Sequence, residues 1–268
     1  MNLLDINAVV GKGNFDLHLH TTASDGRYSP FEVVKMASEK GLTTIAITDH
    51  DTLTGLKEAT VAGLQFGIEV IPGVEITTKY KETTVDILGY GIQLVEKLKN
   101  VLEKIVQDRK SRAFQIIENF RSLGMAITIK DVKKFSKGEV IARPHIASAI
   151  VDKGYVKSVQ EVFDYYLADG KPCNVDKFYL SPKEGIDLIH HAGGIAVLAH
   201  PKLIQDDQLV HELLQFSFDG LEVWHRKHLP KDVHRYRQIA YEKGLIMTGG
   251  SDFHTDEDNL GQFGFNNN

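Results

Sequence analysis

Cysteine occurs once in 268 residues, at Cys173, so no intrachain disulfide can form. A disulfide-stapled secreted scaffold is thereby excluded, and a cytoplasmic location is expected. Cys173 has no recognisable partner and reads as an ordinary buried thiol. Long apolar runs are missing too: none reaches the roughly 18 residues that a membrane helix needs. The opening stretch MNLLDINAVVGKGNF has an acidic residue at position 5 and no apolar core, so a signal peptide is not expected. An excess of positive charge is also absent. The formal charge of −5 argues against a stable coat of nucleic acid.

What is present suits an α/β domain with an insertion, since 42% of residues are hydrophobic and can fill a sizeable core. Seven short apolar runs read as strands, near 15–20, 43–48, 69–74, 84–90, 195–199, 219–223 and 245–249. Helical patterns lie between several of them. Ser29 is a good N-cap with Pro30 at the first helical position, and Lys40-Gly41 ends that helix. Glu242-Lys243-Gly244 repeats the ending before the last strand. Strand, helix, strand in this rhythm predicts parallel pairing with right-handed crossovers.

The rhythm stops between about 95 and 183. A long helix over 95–123 is followed by a mixed segment and helices near 144–153 and 158–168. The expectation is a barrel built from 1–95 and 184–268, with an inserted, mainly helical cap subdomain at 96–183. Charge divides the same way: 96–183 holds 17 basic and 11 acidic residues, the remainder 14 and 25. For most of the insertion's lysines this reads as a solvated helical face, with a basic lid over an anionic ligand as the alternative. The tail from Phe263 to Asn268 is expected to be poorly ordered.

Twelve histidines are many for such a chain. His18 and His20 alternate with Leu19 on the first strand and so point the same way, a spacing that grips one metal ion. On that segment alone, two ordinary histidines of a half-buried strand remain open. Asp25 follows in a polar turn, and surface placement is an equal alternative for it. His50 sits at the end of the second strand between Asp49 and Asp51, Glu75 follows the third, and His200 the fifth. Asp252 and His254 follow the last strand, and His145 opens a helix of the insertion after Arg143-Pro144. Imidazoles and carboxylates gathered at strand ends suit Zn, Mn or Fe. Ionisable groups clustered without a partner would be costly, and metal ions remove that cost.

At this point the chain resembles the PHP (polymerase and histidinol phosphatase) superfamily. The resemblance rests on His18-Leu19-His20, Thr48-Asp49-His50, Gly73-Val74-Glu75, His200-Pro201 and Ser251-Asp252-Phe253-His254, and covers about 14 to 264. Arg143-Pro144-His145 within an insertion is similar to the bacterial subgroup of nucleoside 3′,5′-bisphosphate phosphatases and 5′-3′ exoribonucleases. The resemblance implies a distorted (β/α)7 barrel and three divalent metal ions (Mn, Zn or Fe). It implies one ion on His18, His20, Glu75 and Asp252, a second on Asp25, His50 and His254, and a third on Glu75, His145 and His200. Some members carry histidine where this chain has Asp25; the aspartate resembles the nucleotide subgroup.

Three divalent ions against Asp25, Glu75 and Asp252 leave a positive pocket, which prefers a phosphate ester. The reaction expected is hydrolysis by a metal-bridging hydroxide, on a phosphorylated small molecule or the 5′ end of a short oligonucleotide. His225 is the candidate for leaving-group protonation; a loop histidine is the alternative. Arg143 and Lys202 are candidate phosphate contacts. Histidinol-phosphate phosphatase is the nearest competing activity, and Asp25 and the insertion argue against it. A metal-dependent amidohydrolase is the competitor of another class, but no strand read here ends in the bridging lysine common there. A non-catalytic metal-binding module is a third possibility, against which all nine ligand positions are filled.

Overall fold

The computed structural model of the chain describes residues 3–136 and 141–265. Seven strands form one sheet in sequence order: β1 (Phe15–Leu19), β2 (Thr44–Ile47), β3 (Glu69–Tyr80), β4 (Thr83–Tyr90), β5 (Ile195–Leu198), β6 (Gly220–His225) and β7 (Ile246–Gly250). Beyond β7 the chain returns to β1 and nearly closes the barrel. Leu19 and Phe253 bridge in parallel, and the His20 amide donates to the Phe253 carbonyl at 3.0 Å.

Among the described residues, the helices are α1 (Leu3–Lys12), α2 (Pro30–Glu39), α3 (Leu56–Phe66), α4 (Glu96–Ser122), α5 (Ile129–Lys133), α6 (Arg143–Asp152), α7 (Val159–Val162), α8 (Pro182–His191), α9 (Asp207–Leu213) and α10 (Pro230–Lys243). Local chemistry sets their ends. Ser29 and Glu32 form a capping box on α2, Ser181 and Glu184 do the same on α8, and Gly244 ends α10 at φ 66°. No helix among the described residues is long and apolar enough to cross a membrane.

Two expectations of the strand pattern are corrected. The third strand runs six residues past position 74, so Glu75 lies within β3 rather than at its end. Pairing around β4 is antiparallel on both sides, to β3 and to β5. The cause is loop length: Lys81-Glu82 connects β3 to β4, and so short a link makes a hairpin, whereas a parallel crossover needs a dozen residues or more. The remaining neighbours pair in parallel.

The chain divides into two compact units, Met1–Leu102 with Tyr179–Asn268, and Glu103–Phe178. The second has its own apolar core, in which Ile116, Phe120, Ile127, Ile146, Ile150 and Leu167 are buried. Cys173 is buried there as a free thiol. The tail is better held than its polarity suggests. Phe263 is buried, and Phe265 packs edge-on against Phe15 and Trp224 at 4.8 Å each; 266–268 lie outside the described residues.

Two buried carboxylates tie the barrel mouth together. Asp16, on β1, accepts from the Ser251 amide (2.9 Å), the Ser251 hydroxyl (2.6 Å) and the Gly261 amide (2.8 Å), so it clasps the first strand to the chain after the last. Burial outweighs those hydrogen bonds and pushes its pKa up to about 6. Asp49 accepts from the Thr21 amide (2.7 Å), the Thr21 hydroxyl (2.8 Å) and the Ser24 hydroxyl (2.6 Å), which fixes the turn bearing Asp25. Gly250 serves the same closure, because a Cβ there would collide with the backbone and Cβ of His18.

Candidate metal centre

Strand alternation carries His18 and His20 to the same side of β1, and both are fully buried. Glu75, only 1% exposed, meets them from β3. Its Oε2 lies 3.3 Å from His18 Nε2, 3.2 Å from His20 Nε2 and 3.2 Å from His50 Nδ1, and its Oε1 lies 3.1 Å from His200 Nε2. Asp252 Oδ1 stands 3.6 Å from His18 Nε2, 3.4 Å from His20 Nε2 and 3.4 Å from His254 Nδ1. Asp25 is the open side, 46% exposed at the side chain, yet its Oδ1 is 3.3 Å from His254 Nε2. Surface placement and cluster membership are therefore both true of Asp25.

The hydrogen-bond pattern tests whether these residues suit a cation. His18 Nδ1 lies 3.0 Å from Glu222 Oε1. A carboxylate only accepts, so the neutral ring carries its proton on Nδ1 and aims a lone pair from Nε2 at Glu75 and Asp252. His254 Nδ1 likewise donates to the Asp252 carbonyl at 3.0 Å, leaving a Nε2 lone pair toward Asp25. Lone pairs facing carboxylate oxygens repel unless a positive charge lies between them. The buried atoms without a hydrogen-bond partner include His18 Nε2, both ring nitrogens of His20, His50 Nδ1 and Glu75 Oε2. That donor set fits divalent metal.

Electrostatics points the same way. Burial opposes a charge on His20, but its contacts with Asp252 and Glu75 outweigh it and lift the pKa to about 10. His200 is raised to about 9 against the same penalty, chiefly by Glu75. Burial would raise Glu75 and Asp252, yet the surrounding imidazoles hold both well below the usual carboxylate range. The mouth of the barrel is a sink for positive charge.

Ligand-sized groupings form around His20 with Asp25, His50 and His254, around His18 with His20 and Asp252, and around His18 with Glu75 and His200. His20 thus belongs to two groupings, whereas the sequence motif puts it in one. Its neutral ring has a single lone pair, so it serves one ion at a time. His200 and Asp252 adopt left-handed backbone at φ 23° and 52°, strained for residues with a Cβ.

Three side chains of the cluster were not singled out by sequence reasoning as ligands or supports: Glu222, Asp86 and Arg226. Glu222 and Asp86 sit inside apolar strands, on β6 and β4, and a charge within an apolar run was the available signal. Asp86 groups with His50 and Glu75. Arg226 donates to Asp252 Oδ2 at 3.1 Å and pairs with Asp258.

His225 ends β6 and is buried, so the loop-histidine alternative is corrected. The Lys227 amide donates to its Nδ1 at 3.2 Å, which puts the ring proton on Nε2, 3.4 Å from Asp252 Oδ2. A cavity of about 410 Å³ opens beside it, bordered by Arg226, Lys227, His228 and Phe263. Lys202 Nζ lies 3.5 Å from Asp232 and is engaged there. In the second unit, Arg143 donates to the Leu167 carbonyl at 3.3 Å. His145 Nδ1 accepts from the Ala142 amide at 3.2 Å, so the ring caps its own helix and its neutral form holds the proton on Nε2.

The chain is 36% identical to the 3′,5′-nucleoside bisphosphate phosphatase of Chromobacterium violaceum, over 90% of this chain and 87% of that one. It is 33% identical to the 5′-3′ exoribonuclease Rnm of Escherichia coli, over 90% and 85%. A solved structure of an amidohydrolase from Chromobacterium violaceum, with bound sulfate and no metal, superposes with a TM-score of 0.75 at 34% identity, covering 93% of this chain and 90% of that one. Residues 16–166 match the PHP domain model, and the chain belongs to the PHP domain family.

Proposed function

We propose that this chain is a metal-dependent phosphoesterase that hydrolyses phosphate esters of nucleotides, either nucleoside 3′,5′-bisphosphates or the 5′ ends of short RNA. The observation that carries the reading is the ring of imidazole nitrogens of His18, His20, His50 and His254 gathered within 3.3 Å of Glu75 or Asp25, several of them buried and without a hydrogen-bond partner. His18, His20, Asp25, His50, Glu75, His200, Asp252 and His254 hold the ions, up to three, with Mn, Zn and Fe suited to such nitrogen and oxygen donors. Divalent ions held there supply Lewis-acid charge for phosphate oxygens and lower the pKa of water toward about 7.

The chain's own residues do the rest. Buried carboxylates fix the imidazoles, and Arg226 holds Asp252 from the outer side. His225 holds its Nε2–H 3.4 Å from Asp252 Oδ2, where as a neutral ring it can stabilise the leaving oxygen by a hydrogen bond while keeping its proton. The names of the two sequence relatives, a nucleotide phosphatase and an exoribonuclease, support the substrate class. Sulfate in the solved relative, a tetrahedral dianion like phosphate, supports the ester type. That relative's name, amidohydrolase, makes amide hydrolysis the second reading.

Phosphate release from adenosine 3′,5′-bisphosphate, AMP, histidinol phosphate and a 5′-phosphorylated short RNA, beside ammonia release from simple amides, decides between them. The expected result is preference for the bisphosphate or the RNA by about tenfold or more, a difference of about 1.4 kcal/mol in transition-state binding. Equal, feeble rates on every compound overturn the substrate claim. H225A on the best substrate is expected to lose about 100-fold or more in kcat with unchanged metal content. Arg143, Lys202 and His145 enter the proposal through the sequence motif alone. R143A, K202A and H145A on the same panel assign each to KM, to kcat or to neither.

A further inference from the structure

Glu222 is fully buried in the middle of β6, and a buried carboxylate is costly unless both oxygens are satisfied. Its partners lie on two other elements. Oε1 is 3.0 Å from His18 Nδ1, on β1. Oε2 accepts from the His200 amide at 2.6 Å, in the turn after β5. His200 is the residue held at φ 23°, directly before Pro201, where the backbone has little freedom of its own.

We infer that Glu222 is the positioning residue that sets two metal-facing imidazoles at once. Through Oε1 it keeps the proton of His18 on Nδ1, so that the Nε2 lone pair points at Glu75 and Asp252. Through Oε2 it pins the strained backbone of His200, whose ring reaches Glu75 Oε1 at 3.1 Å. Glu222 also groups with His18 and His225, but each of its oxygens already accepts a hydrogen bond from a ligand residue, so it acts through the ligands. Paired histidine–carboxylate contacts of this kind orient the ring and raise its basicity. Glutamine in the same place has one acceptor and one donor. It satisfies either the His18 proton or the His200 amide, and its NH₂ opposes the other.

The inference rests on the reading of the cluster as a metal centre, and its test uses no substrate. In the Zn²⁺-loaded wild type, long-range ¹H–¹⁵N NMR is expected to find the His18 proton on Nδ1; a proton on Nε2 overturns the inference whatever the variants do. Zn²⁺ affinity by competition with a chromophoric chelator is expected to fall about 10- to 100-fold in E222Q and E222L. Unchanged affinity in both folded variants overturns the positioning role. Failure of the phosphate-ester panel leaves the tautomer and affinity results standing, so the two claims fail separately.

Discussion

E75A is expected to abolish turnover and to strip metal from the protein. Among the described residues, Glu75 is the one carboxylate within 3.3 Å of four imidazoles, those of His18, His20, His50 and His200. They arrive from β1, from the segments that follow β1 and β2, and from the turn after β5, so a single side chain joins ligands from separate parts of the barrel. Without it those nitrogens keep their burial and lose their shared counter-charge. D252A belongs to the same prediction, because Asp252 meets His18, His20, His225, His254 and Arg226. The expected loss in kcat is about 1,000-fold or more, on the order of about 4 kcal/mol of transition-state stabilisation. Metal per chain, read by elemental analysis, falls in both variants. Full metal content and full rate in both would refute the ligand assignments. E75Q separates charge from shape: it keeps the volume and one acceptor but not the negative charge, and it is expected to resemble the alanine variant.

Metal removal is the second large effect. Exhaustive chelation is expected to silence the enzyme, and added Mn²⁺, Zn²⁺ or Fe²⁺ to restore it. Stability follows activity, because ions bind the folded cluster and not the scattered ligands of the unfolded chain. At a hundredfold excess over the dissociation constant, one ion adds about 2.7 kcal/mol. For a chain of this size that corresponds to roughly 5–10 °C in Tm. The cause is visible in the buried, unbonded nitrogens of His18, His20 and His50 and in Glu75 Oε2, which lack partners until a cation arrives. Ligand imidazoles must be unprotonated to bind, and without metal His20 and His200 keep their protons up to about 10 and about 9, so metal affinity is expected to weaken as pH falls below about 9. Unchanged rate and Tm after chelation, with metal shown to be absent, would count decisively against a metal centre.

Much of the architecture was legible along the chain because its signals are local. Alternation on the first strand places His18 and His20 on one face, and the Ser29 and Ser181 caps start helices by bonding three residues ahead. The turn of pairing direction at β4 was missed, although the gap it depends on is two residues long. Eight of the residues picked out by motif do come together: His18, His20, Asp25, His50, Glu75, His200, Asp252 and His254. Their residue types named the chemistry to test, because imidazoles and carboxylates are the donors that zinc, manganese and iron take.

What the sequence by itself determined, then, was the family, the strand count and the eight imidazoles and carboxylates that gather at one site. Tertiary structure alone decided which nitrogen of the neutral His18, His225 and His254 rings holds the proton, that His225 is buried, that Glu222 spans from His18 to His200, and that Lys202 is engaged by Asp232. The reason is physical. A side chain's type is carried in its own letter and its face follows from local periodicity, but its protonation and its partner depend on atoms contributed by strands as far as 204 residues away.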